Sequence, residues 1–483
     1  MRTMSDSRAD MFLFIALLAW VLCCFHPAFG LMVQVPIIIM LVARCDFKSL
    51  PALLILMFGK GNIPFFSGSD MLVLRLGITL KPENVFVIST FIFAAINLIK
   101  NRYDSPSVCF AFFWFLALIP AAVMSFTAKR YGLAGIWSAP IMDAIAPSVY
   151  YWGMSMASSY RDGKYYFTSR IAWIMMGWNL FMTLNMLNSF SFIPVPLSIG
   201  LFVYVYGDPE LRRLRPLCLM MVAIALANFV FMRQIRVSAA AEELGKDVSA
   251  ADKSAGGTFS TMISVGISIV LITGLRKWMP NVFARALPIV MTAANILLVT
   301  FVVSTQSGNQ AKETSQAYYT MEERFNYKLF GDRGTVWMMG WEEVKDPPYI
   351  FKDLRKFLEV NRLGVTSMKL LPHNQFLTLL GREGFWLGLT LSIFIIWVQV
   401  RMFRCYTRLP EDRMFSRVFL PVSAAIFFAC GTAGQSVATS DLWGNSLATM
   451  VMPGIVYGQW LLRKNAQRLG YFNCGDDNAY PMA

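Results

Sequence analysis

The sequence predicts an all-α protein, a polytopic membrane helical bundle of about fourteen transmembrane helices with one large loop outside the membrane. Two observations lead there. Of 483 residues, 56% are hydrophobic and only 15% are charged, whereas a soluble domain is about a quarter charged. The apolar residues also run on without interruption. Met11–Phe25, Ser107–Ala128, Thr258–Leu275, Leu287–Ser304 and Phe385–Val400 each approach the length needed to cross roughly 30 Å of hydrocarbon as a helix. Backbone amides in lipid must pair within their own segment, so such runs predict helices rather than open sheet.

Taken in order, the expected spans lie near 10–25, 28–43, 49–60, 84–100, 107–128, 141–160, 165–185, 190–206, 215–232, 257–275, 286–304, 373–400, 416–433 and 443–462. The first, which follows Arg2 and Arg8, reads as a span rather than a cleaved leader, because no small-residue cleavage site follows it. The third is short, and the sixth carries Asp143, Pro147 and several serines. Both suit re-entrant segments as well as spans. Three units result: a bundle over 1–304, a large outer loop over 305–372, and the last spans with a tail over 373–483.

The net charge of +14 has a topological reading. Basic residues gather in alternate connections: Arg44/Lys48, Lys100/Arg102, Arg161/Lys164/Arg170, Arg212/Arg213/Arg215, Arg276/Lys277/Arg285, the Arg401–Arg417 cluster and Arg463/Lys464/Arg468. That bias places these connections, and both termini, on the cytoplasmic side. It leaves no role for nucleic acid. The outer side then holds Gly61–Glu83, Arg233–Gly256 and Thr305–Pro372. The last is long enough to expect a function, and Ser315–Leu329 and Ile350–Val360 within it read as short amphipathic helices. None of the eight cysteines falls in that loop, and their spacing gives neither a disulfide framework nor a metal site. No phosphate-cradling glycine loop is evident, and no cofactor is expected.

Chemistry concentrates at few positions. There are two histidines. His26, beside Pro27, reads as structural. His373 stands where the long loop re-enters the membrane, after Pro372 and before Asn374. With Pro372 opening a helix, His373 and Asn374 fall in its first turn at the outer boundary. A neutral imidazole there can take a proton from a sugar hydroxyl, or it can merely cap the helix. Arginines are the second theme: Arg333 in the loop, Arg233 and Arg236 where the ninth span exits, and Arg382 inside the twelfth. Guanidinium forks suit pyrophosphate oxygens. For Arg382 the plainer reading is an ion pair, with Glu383 and Asp143 as possible partners, since charge within a span is costly.

The stretch Gly331–Gly388 resembles the shared signature of the O-antigen ligase and O-antigen polymerase superfamily. The residues that carry the likeness are Arg333 in a G-x-R element, Trp337, then His373-Asn374, Phe376, Leu377, and Gly384 eleven residues after the histidine. The resemblance implies a GT-C-like bundle in a bacterial inner membrane and a metal-independent, inverting glycosyltransferase with a periplasmic active site. Its donor would be an undecaprenyl-diphosphate-linked glycan and its acceptor a sugar hydroxyl. His373 would be the base or orienting residue, and Arg333 a ligand of the diphosphate. Where the family has a Ser-Arg-Gly element, this chain reads Lys253-Ser-Ala-Gly-Gly257, so Lys253, or Arg233 and Arg236, would supply that charge. Many members have an acidic residue nine positions after the histidine, where Arg382 stands here, with Glu383 one later. Asn374 and Arg382 complete the expected substrate-binding set.

Length and span number favour a polymerase of surface or secreted polysaccharide over a ligase that caps lipid A-core. A flippase and a chain-length regulator are candidate partners. A lipid-linked oligosaccharide flippase or similar transporter is the reading from another class. Transporters often show repeated halves, and this sequence has none.

Overall fold

A computed structural model describes residues 6–25, 27–57, 72–73, 79–80, 82–100, 105–130, 139–160, 205, 209–220, 222–223, 289–290, 293–294, 296–297, 300, 333–352, 358–360, 366–368, 374–406, 423–424, 427 and 447–468. These residues are predominantly helical. The expected spans at 165–185, 190–206 (Val205 apart) and 257–275, and the unit boundaries at 304/305 and 372/373, lie outside them.

The chain opens with α1 (Asp6–Phe25) and α2 (Pro27–Arg44). They pair antiparallel: Gln34 Nε2 donates to the Ala19 carbonyl at 3.4 Å, and the Arg44 guanidinium sits 4.8 Å from the Phe12 ring. Helix α2 ends at Cys45, whose φ of 51° is left-handed, a conformation usually left to glycine or asparagine after a helix. Asp46 then caps a single 3-10 turn, Phe47–Ser49, by accepting from the Lys48 amide at 2.9 Å. Helix α3 follows as Leu50–Met57. At 1.5 Å per residue its described part is about 12 Å long, and residues 58–60 of the span expected at 49–60 lie outside the described residues. A two-stranded antiparallel pair, β1 (Leu72–Val73) and β2 (Thr79–Leu80), lies within the loop after it.

Helix α4 (Pro82–Lys100) starts two residues before the expected span, with Pro82 in its first position and Glu83 in its first turn. Its buried face is Val85, Phe86, Thr90 and Ala94. The opposite face shows Ile88, Ile92, Ile96 and Ile99, the last 75% exposed. Helix α5 (Ser105–Arg130) repeats the pattern with exposed Phe112, Phe115, Ile119, Val123 and Phe126. Stripes of this size are rare on a soluble surface. Inside the bundle the polarity is mixed, with Gln34, Thr90, Ser148, Gln399 and Gln459 all buried.

The expected span at 141–160 is instead two short helices, α6 (Ala139–Ile145) and α7 (Ser148–Met156), parted by a turn at Ala146–Pro147 and extended by the 3-10 turn Ala157–Ser159. Proline removes one backbone donor and clashes with the preceding turn, which accounts for the break. Helix α7 is a hub. Trp152, fully buried, donates its Nε1–H to the Val42 carbonyl at 3.0 Å, satisfying a carbonyl in the last turn of α2. It also meets the Phe86 ring edge-on at 5.4 Å. The Phe47 amide donates to Ser159 Oγ at 2.8 Å.

After α8 (Arg333–Lys345), β3 (Leu358–Val360), β4 (Thr366–Met368) and α9 (Gln375–Tyr406), a π-type turn, Leu447–Val451, leads into α10 (Met452–Arg468). Helix α7 packs on α10 through small residues. A methyl group on Gly454 would lie 2.5 Å from the Tyr150 carbonyl oxygen, and one on Gly458 would lie 2.5 Å from Ala157 Cβ. Gly153 would meet Val451 O at 2.6 Å. Backbones approach this closely only where side chains are absent, the geometry of small-xxx-small contacts between helices. Gln459 Nε2 then donates to the Ala157 and Tyr160 carbonyls at 2.7 and 3.0 Å. Gln399 Nε2 donates to Thr449 O at 3.0 Å, within the π-type turn.

Among the described residues two helices, Pro82–Lys100 and Gln375–Cys405, are long and apolar enough to cross a membrane. At about 28 Å, α4 nearly matches the hydrocarbon thickness by itself.

Candidate functional site

Two segments of the large loop and the helix after it meet here. Helix α8 (Arg333–Lys345) begins at Arg333 and buries Trp337 completely. Its C-terminal carbonyls are capped by Lys352, which is buried. Lys352 Nζ donates to the carbonyls of Glu343 at 2.6 Å, Val344 at 3.2 Å and Asp346. A cation at a helix C-terminus satisfies orphan acceptors and opposes the dipole at once. Beyond it, β3 (Leu358–Val360) pairs antiparallel with β4 (Thr366–Met368), Val360 opposite Thr366. The amphipathic helix expected over Ile350–Val360 is therefore corrected: residues 349–351 form bends and 358–360 a strand. β-branched residues favour the pleat, and Asn361 and Gly364 between the strands are turn formers. The other expected helix, Ser315–Leu329, lies outside the described residues.

Helix α9 spans Gln375–Tyr406, but Gly384 interrupts it with φ 77° and ψ 179°. Asn374 is its N-cap. Asn374 Oδ1 accepts from the amides of Phe376 at 3.0 Å and Leu377 at 3.1 Å, while its carbonyl takes the first helical bond from Thr378 at 2.8 Å. Asparagine is among the strongest N-caps. The helix thus begins at Gln375, a little later than expected, and Asn374 stands before the first turn rather than in it. The segment 375–383 is about 14 Å long and the segment 385–406 about 33 Å. Of the helix expected over 373–400, the part at 385–406 is long enough to cross a membrane, and a separate short helix stands ahead of it.

The break at Gly384 is fixed by the loop. Phe385 N donates to Tyr349 O at 2.8 Å, and a Cβ on Gly384 would collide with the Ile350 carbonyl. The chain folds back enough that Gly388 lies against Leu379, where a Cβ would be 2.7 Å from the Leu379 carbonyl carbon. Helix α8 rests on the short segment: Gly381 would meet Gly340 O and Glu343 Cβ at 3.6 Å each.

At the end of that segment lies a buried charge cluster. Arg382 donates from Nη2 to Asp143 Oδ2 on α6 and from Nε to Glu383 Oε1. The three residues are 3%, 1% and 0% exposed. Two carboxylates thus face one guanidinium. Glu383 Oε2 has no hydrogen-bond partner among the described residues. Removing one member of such a buried pair leaves an uncompensated charge, typically at a cost of about 3–5 kcal/mol. Gln375, fully buried in the first turn, also has neither amide atom partnered among the described residues. Sequence reasoning passed over Gln375. Its only signal was adjacency to His373-Asn374.

Of the residues singled out from the sequence, Arg382 and Asn374 fall on one short helix, and Arg333 opens the helix that packs on it. His373 immediately precedes the N-cap but lies outside the described residues, as do Arg233, Arg236, Lys253 and His26. Both partners foreseen for Arg382 are engaged with it.

The chain matches no known family profile, no curated protein and no solved structure.

Proposed function

We propose that this chain is a polytopic membrane glycosyltransferase, which polymerises undecaprenyl-diphosphate-linked repeat units into O-antigen or exopolysaccharide on the periplasmic face. The observation that carries the reading is the packing of α8 on residues 375–383. The two halves of the signature, Gly331–Trp337 and His373–Gly384, stand far apart in sequence, and their helices touch at Gly340 and Gly381. The outward apolar stripes of α4 and α5 support the membrane setting, and about fourteen crossings in a GT-C-like bundle remain the proposed topology.

In this mechanism His373 accepts the proton of an acceptor hydroxyl while the oxygen attacks the anomeric carbon of the donor. The bond from that carbon to the diphosphate oxygen breaks as the new glycosidic bond forms, with inversion. The lipid diphosphate leaves with the electron pair, and Arg333 stabilises the charge that develops on it. Arg233, Arg236 or Lys253 supply further positive charge on this reading, and the ligase that transfers glycan to lipid A-core differs only in acceptor.

One observation favours a second reading, a lipid-linked oligosaccharide flippase. Broken helices with buried charge are where transporters bind their cargo, and α9 is broken beside Arg382. A single experiment separates the two. Purified wild type and His373→Ala are incubated with lipid-diphosphate-linked glycan, and the products are resolved by size. A ladder from wild type and none from the variant supports the polymerase. Unchanged glycan from both, with movement of the glycolipid across liposomes, overturns it in favour of transport.

A further inference from the structure

The pairing of Asp143 with Arg382 joins two elements that are weak alone. Helix α6 has seven residues and ends at the Ala146–Pro147 turn. The segment 375–383 is isolated from the rest of α9 by Gly384. Helices this short are not held by their own hydrogen bonds and depend on tertiary contacts. Arg382 is in the last turn of that segment, and Asn374 caps its first. An ion pair at one end therefore sets where the other end stands.

We propose that Asp143, acting through Arg382, is a positioning residue: it holds the 375–383 segment, and with it the Asn374 cap that opens it, in working register. This assignment rests on the glycosyltransferase reading above. It also changes the expected part of Arg382. Nη2 and Nε are directed at Asp143 and Glu383, each carboxylate almost wholly buried, so Arg382 serves the helix and not the diphosphate. A displacement of about 1 Å at a reacting group costs on the order of 100-fold in rate without any loss of substrate contacts.

The test has two arms on the full-length protein in detergent or liposomes. In the kinetic arm, initial rates of ladder formation are measured against donor concentration for wild type, Asp143→Asn, Asp143→Glu and Arg382→Lys. The expected result is a fall in kcat of about 100-fold for Asp143→Asn with KM for the donor held within about twofold. Asp143→Glu recovers part of the loss, because it keeps the charge. A raised KM with kcat intact makes Arg382 a substrate ligand and overturns the proposal. So does full activity in all variants.

In the structural arm, Gln375→Cys is labelled with a maleimide and the modified peptide is quantified by mass spectrometry. Gln375 is fully buried, so labelling is slow in an otherwise unchanged protein. Adding Asp143→Asn is expected to speed it by about tenfold or more, and Asp143→Glu by much less. Equal labelling with and without Asp143→Asn overturns the positioning role. Should Asp143→Asn fail to fold, Arg382→Lys takes its place in both arms. If wild type makes no ladder, the glycosyltransferase reading falls alone, and the labelling arm still decides whether Asp143 holds the segment.

Discussion

Replacing Gly384 by alanine tests whether the break in α9 is built into the backbone. At φ 77° and ψ 179° an L side chain is in a region that is essentially glycine's alone, at about 1–3 kcal/mol. The new Cβ would also collide with Ile350 O and lie 2.9 Å from Ile350 C and 3.0 Å from Tyr349 O. These are backbone atoms of a turn that cannot swing aside as a flexible side chain does. If the turn retreats, the Phe385 N to Tyr349 O bond goes with it, and a lost hydrogen bond at this partly exposed site costs about 0.5–1.5 kcal/mol. The sum is about 1.5–4.5 kcal/mol. Gly381, three residues earlier, is the control. Its nearest neighbours would be 3.6 Å away, ordinary contact, and a helical glycine replaced by alanine gains about 0.5–1 kcal/mol. Both variants are unfolded reversibly in mixed micelles of rising SDS fraction, with tryptophan fluorescence as the signal. Gly384→Ala should shift the midpoint strongly downward while Gly381→Ala leaves it unchanged or raised. A loss below about 1 kcal/mol at Gly384, or equal effects at the two sites, refutes a glycine-encoded break.

Two further outcomes follow from single side chains. Lys352→Met removes three charge-assisted bonds to the end of α8, and a loss of about 1.5–3 kcal/mol is expected, with faster amide exchange confined at first to residues 340–352. Unchanged exchange there would mean that the lysine does not hold the helix end. Cys45 sits just past α2, and burial first, then the neighbouring Asp46 charge, push its thiol well above the usual 9.0. The folded state then keeps a proton that the unfolded state releases. Stability from this group is complete below pH 9 and falls as pH rises above it. Alkylation of Cys45 by iodoacetamide in the folded protein should therefore stay slow at pH 9 and become fast only on unfolding. Rapid labelling at that pH in the native protein would contradict the burial.

Several features of the site were legible from residue types. Asn374 before an apolar run is an N-cap by chemistry, and the structure uses it so. Arg382 inside an apolar stretch had to find carboxylates, and the scarcity of charge left Asp143 and Glu383 as partners. The weak sixth span, marked by Pro147, is two short helices, and the described part of the third is the eight-residue helix Leu50–Met57. The missed elements share another cause. The strand pair at 358–368 hides in a mixed polar loop, where no long periodic run announces it. Gly384 was visible only as one member of a signature. Its left-handed φ arises from the fit of the 349–351 turn, which lies more than thirty positions away.

Sequence alone predicted an apolar, helical chain, because in a membrane runs of hydrophobic residues can bury their backbone polar groups only as helices, and the described residues are predominantly helical. It also selected the residues able to do chemistry, since few polar groups occur in such runs. Tertiary structure decided how the helices are cut and joined. A break at a glycine, a seven-residue helix and an ion pair over 239 positions of separation are not encoded in any one window of sequence. They exist because close backbone approach and the cost of an unpaired buried charge are satisfied only when the distant segments meet.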